Sequence, residues 1–458
     1  MKTNSENILG KAPVTQLLRN FAVPSIIAML VSALYNIVDQ FFIGQSIGTL
    51  GNAATNIVFP LSTSCVALAL LFGIGGASTF NLAMGAKEEK TAAYYIGNAA
   101  TLLFTSGVVL WMLVWAFNVP LLRFFGSPEE VLAYARPYSF LTAMGFPFVI
   151  FATGGGHLVR ADGSPKYTML FNLAGAIINT ILDPILIFGF HMGMEGAAIA
   201  TVTGQVVSAY LAFRYLRNYK SVKIQRIHLL PKWNYVKRII MLGASPFFNQ
   251  IAIMIVQIVM NNLLSYYGAL SIYGESIPLA CSGIIAKVNM IYFSIVIGIS
   301  QGLQPIVSFN YGARNYDRVK EAYKLALKWG FIISVISFVI FQTIPRQIVG
   351  LFGSGSELYY EFGVSYFRIF LFFTFTNFVQ AIASNFFTAI GKPMKGILLS
   401  LTRQILFFLP FAVILPMYFG INGVMYAGPI ADFMAAVTGI LLSIQEVRRM
   451  NTLVSQYE

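Results

Sequence analysis

Two aspartates stand inside runs of sequence that are otherwise almost wholly apolar. Asp39 lies in Tyr35-Asn36-Ile37-Val38-Asp39, and Asp183 lies in Asn179-Thr180-Ile181-Leu182-Asp183-Pro184. In each run a polar residue precedes the acid by four positions, so on a helix Tyr35 shares a face with Asp39, and Asn179 with Asp183. Pro184 has no amide hydrogen and frees the carbonyl of Thr180; Pro24 does the same for Asn20. Carboxylates, an amide and loosened carbonyls make an oxygen cage for a small hard cation. They make a proton-sharing pair equally well, because two neighbouring carboxylates cannot both stay ionised cheaply. A bland reading has each acid capping a kink or bonding a neighbouring helix. Two acids in one half, both beside amide or phenol partners, speak against it.

The second half carries Lys287, Arg368, Arg403 and Asp432 in its apolar runs. Long basic side chains near the end of a membrane helix reach the interface, which accounts for Lys287. Arg368 and Arg403 lie deeper, where they pair with Asp432 or line a cavity. Tyr35, Tyr138, Met144 and Phe151 suit a greasy, adaptable pocket for a small molecule. Gly154-Gly155-Gly156 lacks the Lys-Ser/Thr of a phosphate loop, and no nucleophile–base or His/Cys constellation stands out. Cys65 and Cys281 fall in or beside apolar runs and give no disulfide framework. The reading is therefore of a protein that is not an enzyme, needs no cofactor and draws on an ion gradient.

The elements that must hold these residues are membrane helices. The chain is 57% hydrophobic and 10% charged, whereas a soluble domain carries roughly 25% charged residues. Twelve apolar runs, six per half, are long enough to cross about 30 Å of hydrocarbon, and they lack barrel-style alternation. The net charge of +13 invites a nucleic-acid reading until the charges are placed. Of the Lys and Arg residues in loops and termini, 24 fall on one side, including Lys2, Lys11 and eight in a central linker, against Arg123 and Arg346 on the other. That bias predicts a multi-pass protein of the cell membrane with both termini cytoplasmic, and no nucleic-acid partner.

An internal repeat completes the plan. Gly85-Ala86-Lys87 recurs as Gly312-Ala313-Arg314, Phe125-Gly126-Ser127 as Phe352-Gly353-Ser354, and Gly193 and Gly196 as Gly420 and Gly423, all 227 residues apart. Two six-span halves share one orientation, with a pseudo-two-fold axis along the membrane normal. The expected organisation is a lobe over residues 1–220 with the ion site, a basic linker over 221–238, and a second lobe over 239–458. An all-α membrane protein of twelve helices in two pseudo-symmetric six-helix bundles is the architecture of a secondary transporter, and a monomer already encloses a cleft.

The chain resembles the multidrug and toxic compound extrusion (MATE) transporters along essentially its whole length. The telling segments are Leu182-Asp183-Pro184-Ile185-Leu186-Ile187-Phe188-Gly189, Gly302-Leu303-Gln304-Pro305 with Tyr311-Gly312-Ala313-Arg314, and Arg403-Gln404 ahead of Pro410. It looks closest to the bacterial and archaeal branch with the ion site in the first lobe. The resemblance implies that Asp39, Asn179, Asp183 and Thr201 bind H⁺ or Na⁺. It places Tyr35 and Tyr138 in the surrounding network and lets Pro24 bend the first helix. It implies a multidrug antiporter, of the kind that confers antibiotic resistance, working on amphipathic, often cationic molecules. Met144, Phe151, Arg368 and Arg403 are candidates for the substrate cavity. The rival within the same superfamily is a flippase for lipid-linked or anionic precursors, which Arg368 and Arg403 would serve.

Overall fold

The computed structural model describes residues 8–352 and 355–455, so Lys2 and the repeat residues Gly353-Ser354 lie outside the described residues. Every regular element among the described residues is helical. Ten helices are long and apolar enough to cross a membrane singly. Two further spans are each made of a bent pair, Glu129–Ala143 with Phe146–Ala161 at 56° and Glu357–Phe370 with Thr374–Ala389 at 52°. With each bent pair taken as one span, the described residues hold twelve, six in each half.

The repeat is written into the backbone as well as the sequence. Lys87 and Arg314 both close their helices at positive φ, 64° and 62°. Gly193 and Gly420 match at 53° and 58°, and Gly163 and Gly391 at 79° and 76°. The third and ninth spans, Glu89–Ala116 and Tyr316–Thr343, occupy corresponding positions. Left-handed backbone is costly for residues with a Cβ such as Lys87 and Arg314, so its return 227 residues on (228 for Gly163 and Gly391) marks one architecture used twice.

Two apolar cores form, and the first and seventh spans cross between them. The linker-end half of the first span (Val14–Ile47) puts Leu17, Leu18, Phe21 and Ala22 into the core of the second half, while Ile43 joins that of the first. The seventh span (Trp233–Ala269) does the reverse: Ile239 sits in the first core, and Met260 and Leu264 in the second. Pro24 and Pro246 lie inside these helices, where each removes one backbone hydrogen bond.

The two halves close on each other at the linker end, where glycines allow backbone to meet backbone. A Cβ on Gly243 would lie 1.7 Å from the Leu71 carbonyl oxygen, and one on Gly75 would lie 2.1 Å from that of Ile239. Gly298 and Gly302 receive the first span at Ile26 and Ala22 in the same way. Hydrogen bonds seal this end: Gln304 donates to Ser78 at 2.9 Å, and Arg318 to the carbonyls of Ala12 and Leu9 at 2.6 and 3.2 Å. Gly243→Ala therefore forces two helix backbones apart. We expect a loss of about 1–3 kcal/mol of stability from overpacking, read as a lowered Tm in detergent, while Ala on the uncrowded Gly283 changes little.

The linker is an anchored strap. The buried Asp162 carboxylate accepts from the Tyr215 hydroxyl at 2.8 Å, the amides of Lys220 and Ser221 at 2.9 Å each, and the Ser221 hydroxyl. Burial pushes the Asp162 carboxyl above its ordinary value, and these donors act against that push.

Candidate functional site

Three helices bring the first-lobe residues together. The first span supplies Tyr35 and Asp39, the fifth (Pro165–Gly189) supplies Asn179 and Asp183, and the sixth (Gly193–Arg217) supplies Thr201. The i,i+4 spacing read from the sequence holds: the Asn179 amide donates to Asp183 Oδ1 at 3.4 Å. The same nitrogen reaches Thr201 Oγ1 at 3.3 Å, so one amide bridges the fifth and sixth spans. The Asp39 and Asp183 carboxyls face each other closely enough to share a hydrogen bond once one is protonated. The Tyr35 and Tyr138 phenols lie within electrostatic reach of both acids.

What the cluster leaves unsatisfied is as informative as what it joins. Asp39 Oδ1, Asn179 Oδ1 and Asp183 Oδ2 are buried acceptors without a donor. Buried polar atoms are ordinarily paired, because an unpaired one costs about 1–3 kcal/mol. Three lone acceptors in one place fit a cation held by oxygen, or a proton bridging the carboxylates. The local backbone contributes: the helix passes from Pro184 into a π-helical turn, Ile185–Gly189, of the kind often found at functional sites.

The second lobe holds a different arrangement. Asp432, buried, accepts from Arg403 Nε at 2.6 Å and from the Asn377 amide at 3.1 Å. Arg403 stands in a second π-helical stretch, Thr402–Phe408. As in the first lobe, an Asn amide donates to an Asp and its own carbonyl oxygen, Asn377 Oδ1, stays unpartnered. Here, however, the positive charge is part of the chain.

Other candidates are placed apart. Arg368 does not join Arg403 at Asp432; it lines a surface pocket with Arg346, Gln347, Glu357 and Glu361. Met144 lies exposed at the break of the fourth span, and Phe151 is buried in the first core, edge-on to Phe104. Pro24 is buried in the first span, away from the acids. His157 accepts through Nδ1 from Arg160 at 2.9 Å. Sequence reasoning did not pair Asn377 with Asp432, because 55 residues separate them and no local spacing announces the contact.

Comparison with known proteins agrees with this architecture. The MatE family model matches residues 24–185 and again 247–414. The multidrug export protein MepA of Staphylococcus aureus (strain MSSA476) is 25% identical over 443 residues, covering 96% of each chain. That of Staphylococcus saprophyticus is 24% identical over 445 residues with the same coverage. Among solved structures, the outward-facing conformation of a multidrug resistance MATE family transporter of the MOP superfamily superposes with a TM-score of 0.90 at 23% identity, over 99% of this chain and 100% of that one. A Pyrococcus furiosus MOP superfamily transporter, described as having a binding pocket of reverse polarity, gives 0.90 at 23% identity over 98% and 100%. With most of the chain matched, once in each half, the protein belongs to the MATE family of membrane transporters.

Proposed function

We propose that this transporter is a cation-coupled exporter of amphipathic, often cationic small molecules, exchanging them for H⁺ or Na⁺ across the cell membrane. The observation that carries the reading is the trio of unpartnered oxygens on Asp39, Asn179 and Asp183, with Thr201 completing the set. A proton or Na⁺ entering there relieves the repulsion between the two carboxylates. Tyr35 on the first span, and Tyr138 beside it, then repack around the changed charge. Pro24 lets the outer half of that span bend while its inner half stays in the second core. The lobes then reopen at the linker end, which the excess of Lys and Arg assigns to the cytoplasm. For an uncharged substrate, one charge moving through 100 mV supplies about 2.3 kcal/mol, enough for a roughly 50-fold gradient under tight coupling. A monovalent cation exchanged one for one moves no net charge and is driven by the ion's own concentration gradient.

The flippase reading needs a cationic cavity. Arg403 is committed to Asp432, and Arg368 shares its surface pocket with two glutamates, which leaves that reading with little support. The test is ethidium export from efflux-deficient bacterial cells expressing this protein. Outward transport that collapses when the proton and sodium gradients are both dissipated supports the proposal. No transport of ethidium or other amphipathic cations, with uptake of lipid-linked or anionic substrates instead, overturns it.

A further inference from the structure

The strap joining the two halves is built as a docking surface. From Glu195 to Glu275 the chain contains no acidic residue between those two, yet eight basic ones fall there: Arg214, Arg217, Lys220, Lys223, Arg226, Lys232, Lys237 and Arg238. All eight are exposed. Large apolar side chains stand exposed among them: Ile227 (49%), Leu230 (63%) and Trp233 (70%). In a flexible linker such residues would fold away; here the backbone is pinned so that they cannot. Asn98 takes the carbonyls of His228 and Leu230 and the amide of Lys232 at 2.9, 3.2 and 2.8 Å, and Thr101 donates to the Leu229 carbonyl at 2.7 Å. A Cβ on Gly97 would lie 2.3 Å from the His228 carbonyl oxygen, so only glycine lets the strap approach there. Tyr94, one turn earlier on the same helix, stacks on Tyr235 at 4.8 Å.

The anchor sets the depth of the strap. The apolar stretch of the third span beyond Asn98 runs over residues 99–116. At 1.5 Å per residue that is about 27 Å, close to the thickness of the hydrocarbon core. Asn98 therefore marks the boundary, and the strap fixed to it lies at headgroup level. Apolar and aromatic side chains at that depth enter the acyl edge, while Lys and Arg beside them meet the phosphates.

We infer that residues 217–233 form a binding site for anionic phospholipid, with Lys223 and Arg226 selecting the headgroup charge and Ile227, Leu230 and Trp233 seated in the acyl boundary. The whole protein, reconstituted in phosphatidylcholine nanodiscs, tests this through Trp233, whose signal is the fluorescence lost in Trp233→Phe. Nanodiscs expose both leaflets, so the result does not depend on which side faces the cytoplasm. Brominated phosphatidylglycerol should quench Trp233 about twofold more than brominated phosphatidylcholine at equal mole fraction, the surplus falling with salt. Lys223→Gln with Arg226→Gln should remove that surplus and leave the phosphatidylcholine quenching intact. Equal quenching by both lipids in the parent overturns the selection for charge. Absence of quenching by either overturns the seating. Loss of the surplus on adding inorganic phosphate, with sodium chloride at matched ionic strength as control, would assign the site to a free anion instead of the bilayer.

Discussion

Asp183→Asn should abolish uphill export while leaving the protein folded. Asp183 is fully buried, and the substitution keeps its shape and its bond with Asn179 within reach. What it removes is the charge that makes the site want a cation, and with it the second carboxylate of the Asp39–Asp183 pair. A carrier that no longer binds its driving ion can at most equilibrate its substrate. For an uncharged substrate the accumulation ratio should therefore fall from as much as roughly 50-fold under 100 mV to about one. Substrate binding in detergent and Tm should stay near the parent values. Asp39→Asn should behave alike, since both carboxylates face the same space. If either variant sustained the parent's gradient at matched expression, the two acids would be structural and the ion would couple elsewhere.

Arg403→Ala should be among the most destabilising single changes in the second lobe. It strips the guanidinium from Asp432, leaving a buried carboxylate with the Asn377 amide as its donor among the described residues. Removing one partner of a buried ion pair costs about 3–5 kcal/mol, because the charge left behind has lost both its counter-ion and its water. Replacing both partners, as in Arg403→Met with Asp432→Leu, should recover most of the loss, since a packed apolar pair bears no desolvation cost. The measurement is the Tm of the single and double variants in detergent, analysed as a double-mutant cycle. Equal Tm values for parent and Arg403→Ala would show that the pair has no structural weight. The contrast with the first lobe is one of geometry: Asn179 and Asp183 keep oxygens without a donor, whereas Asp432 is closed by Arg403 of the chain itself.

The sequence alone determined the class of molecule and much of its plan. Apolar runs of membrane-crossing length, the bias of Lys and Arg to one side, and glycines recurring 227 residues apart are local or periodic signals. They survive in one dimension because lipid imposes the same demand on every span. The contact of Asn179 with Asp183 was legible because it spans one helical turn. Thr201 entered through family resemblance, since nothing in its neighbourhood of small residues singles it out.

Tertiary structure alone decided which charges meet and which helices pack together. Arg403 and Arg368 read alike in the sequence, but one closes on Asp432 and the other lines a pocket shared with Glu357 and Glu361. The exchange of the first and seventh spans between the two cores has no local signature, and neither does the grip of Asn98 on a strap 130 residues away. Such contacts depend on where helices far apart in the chain come to lie. That placement is set by the packing of whole faces and by glycines that let backbones touch, and no window of sequence contains it.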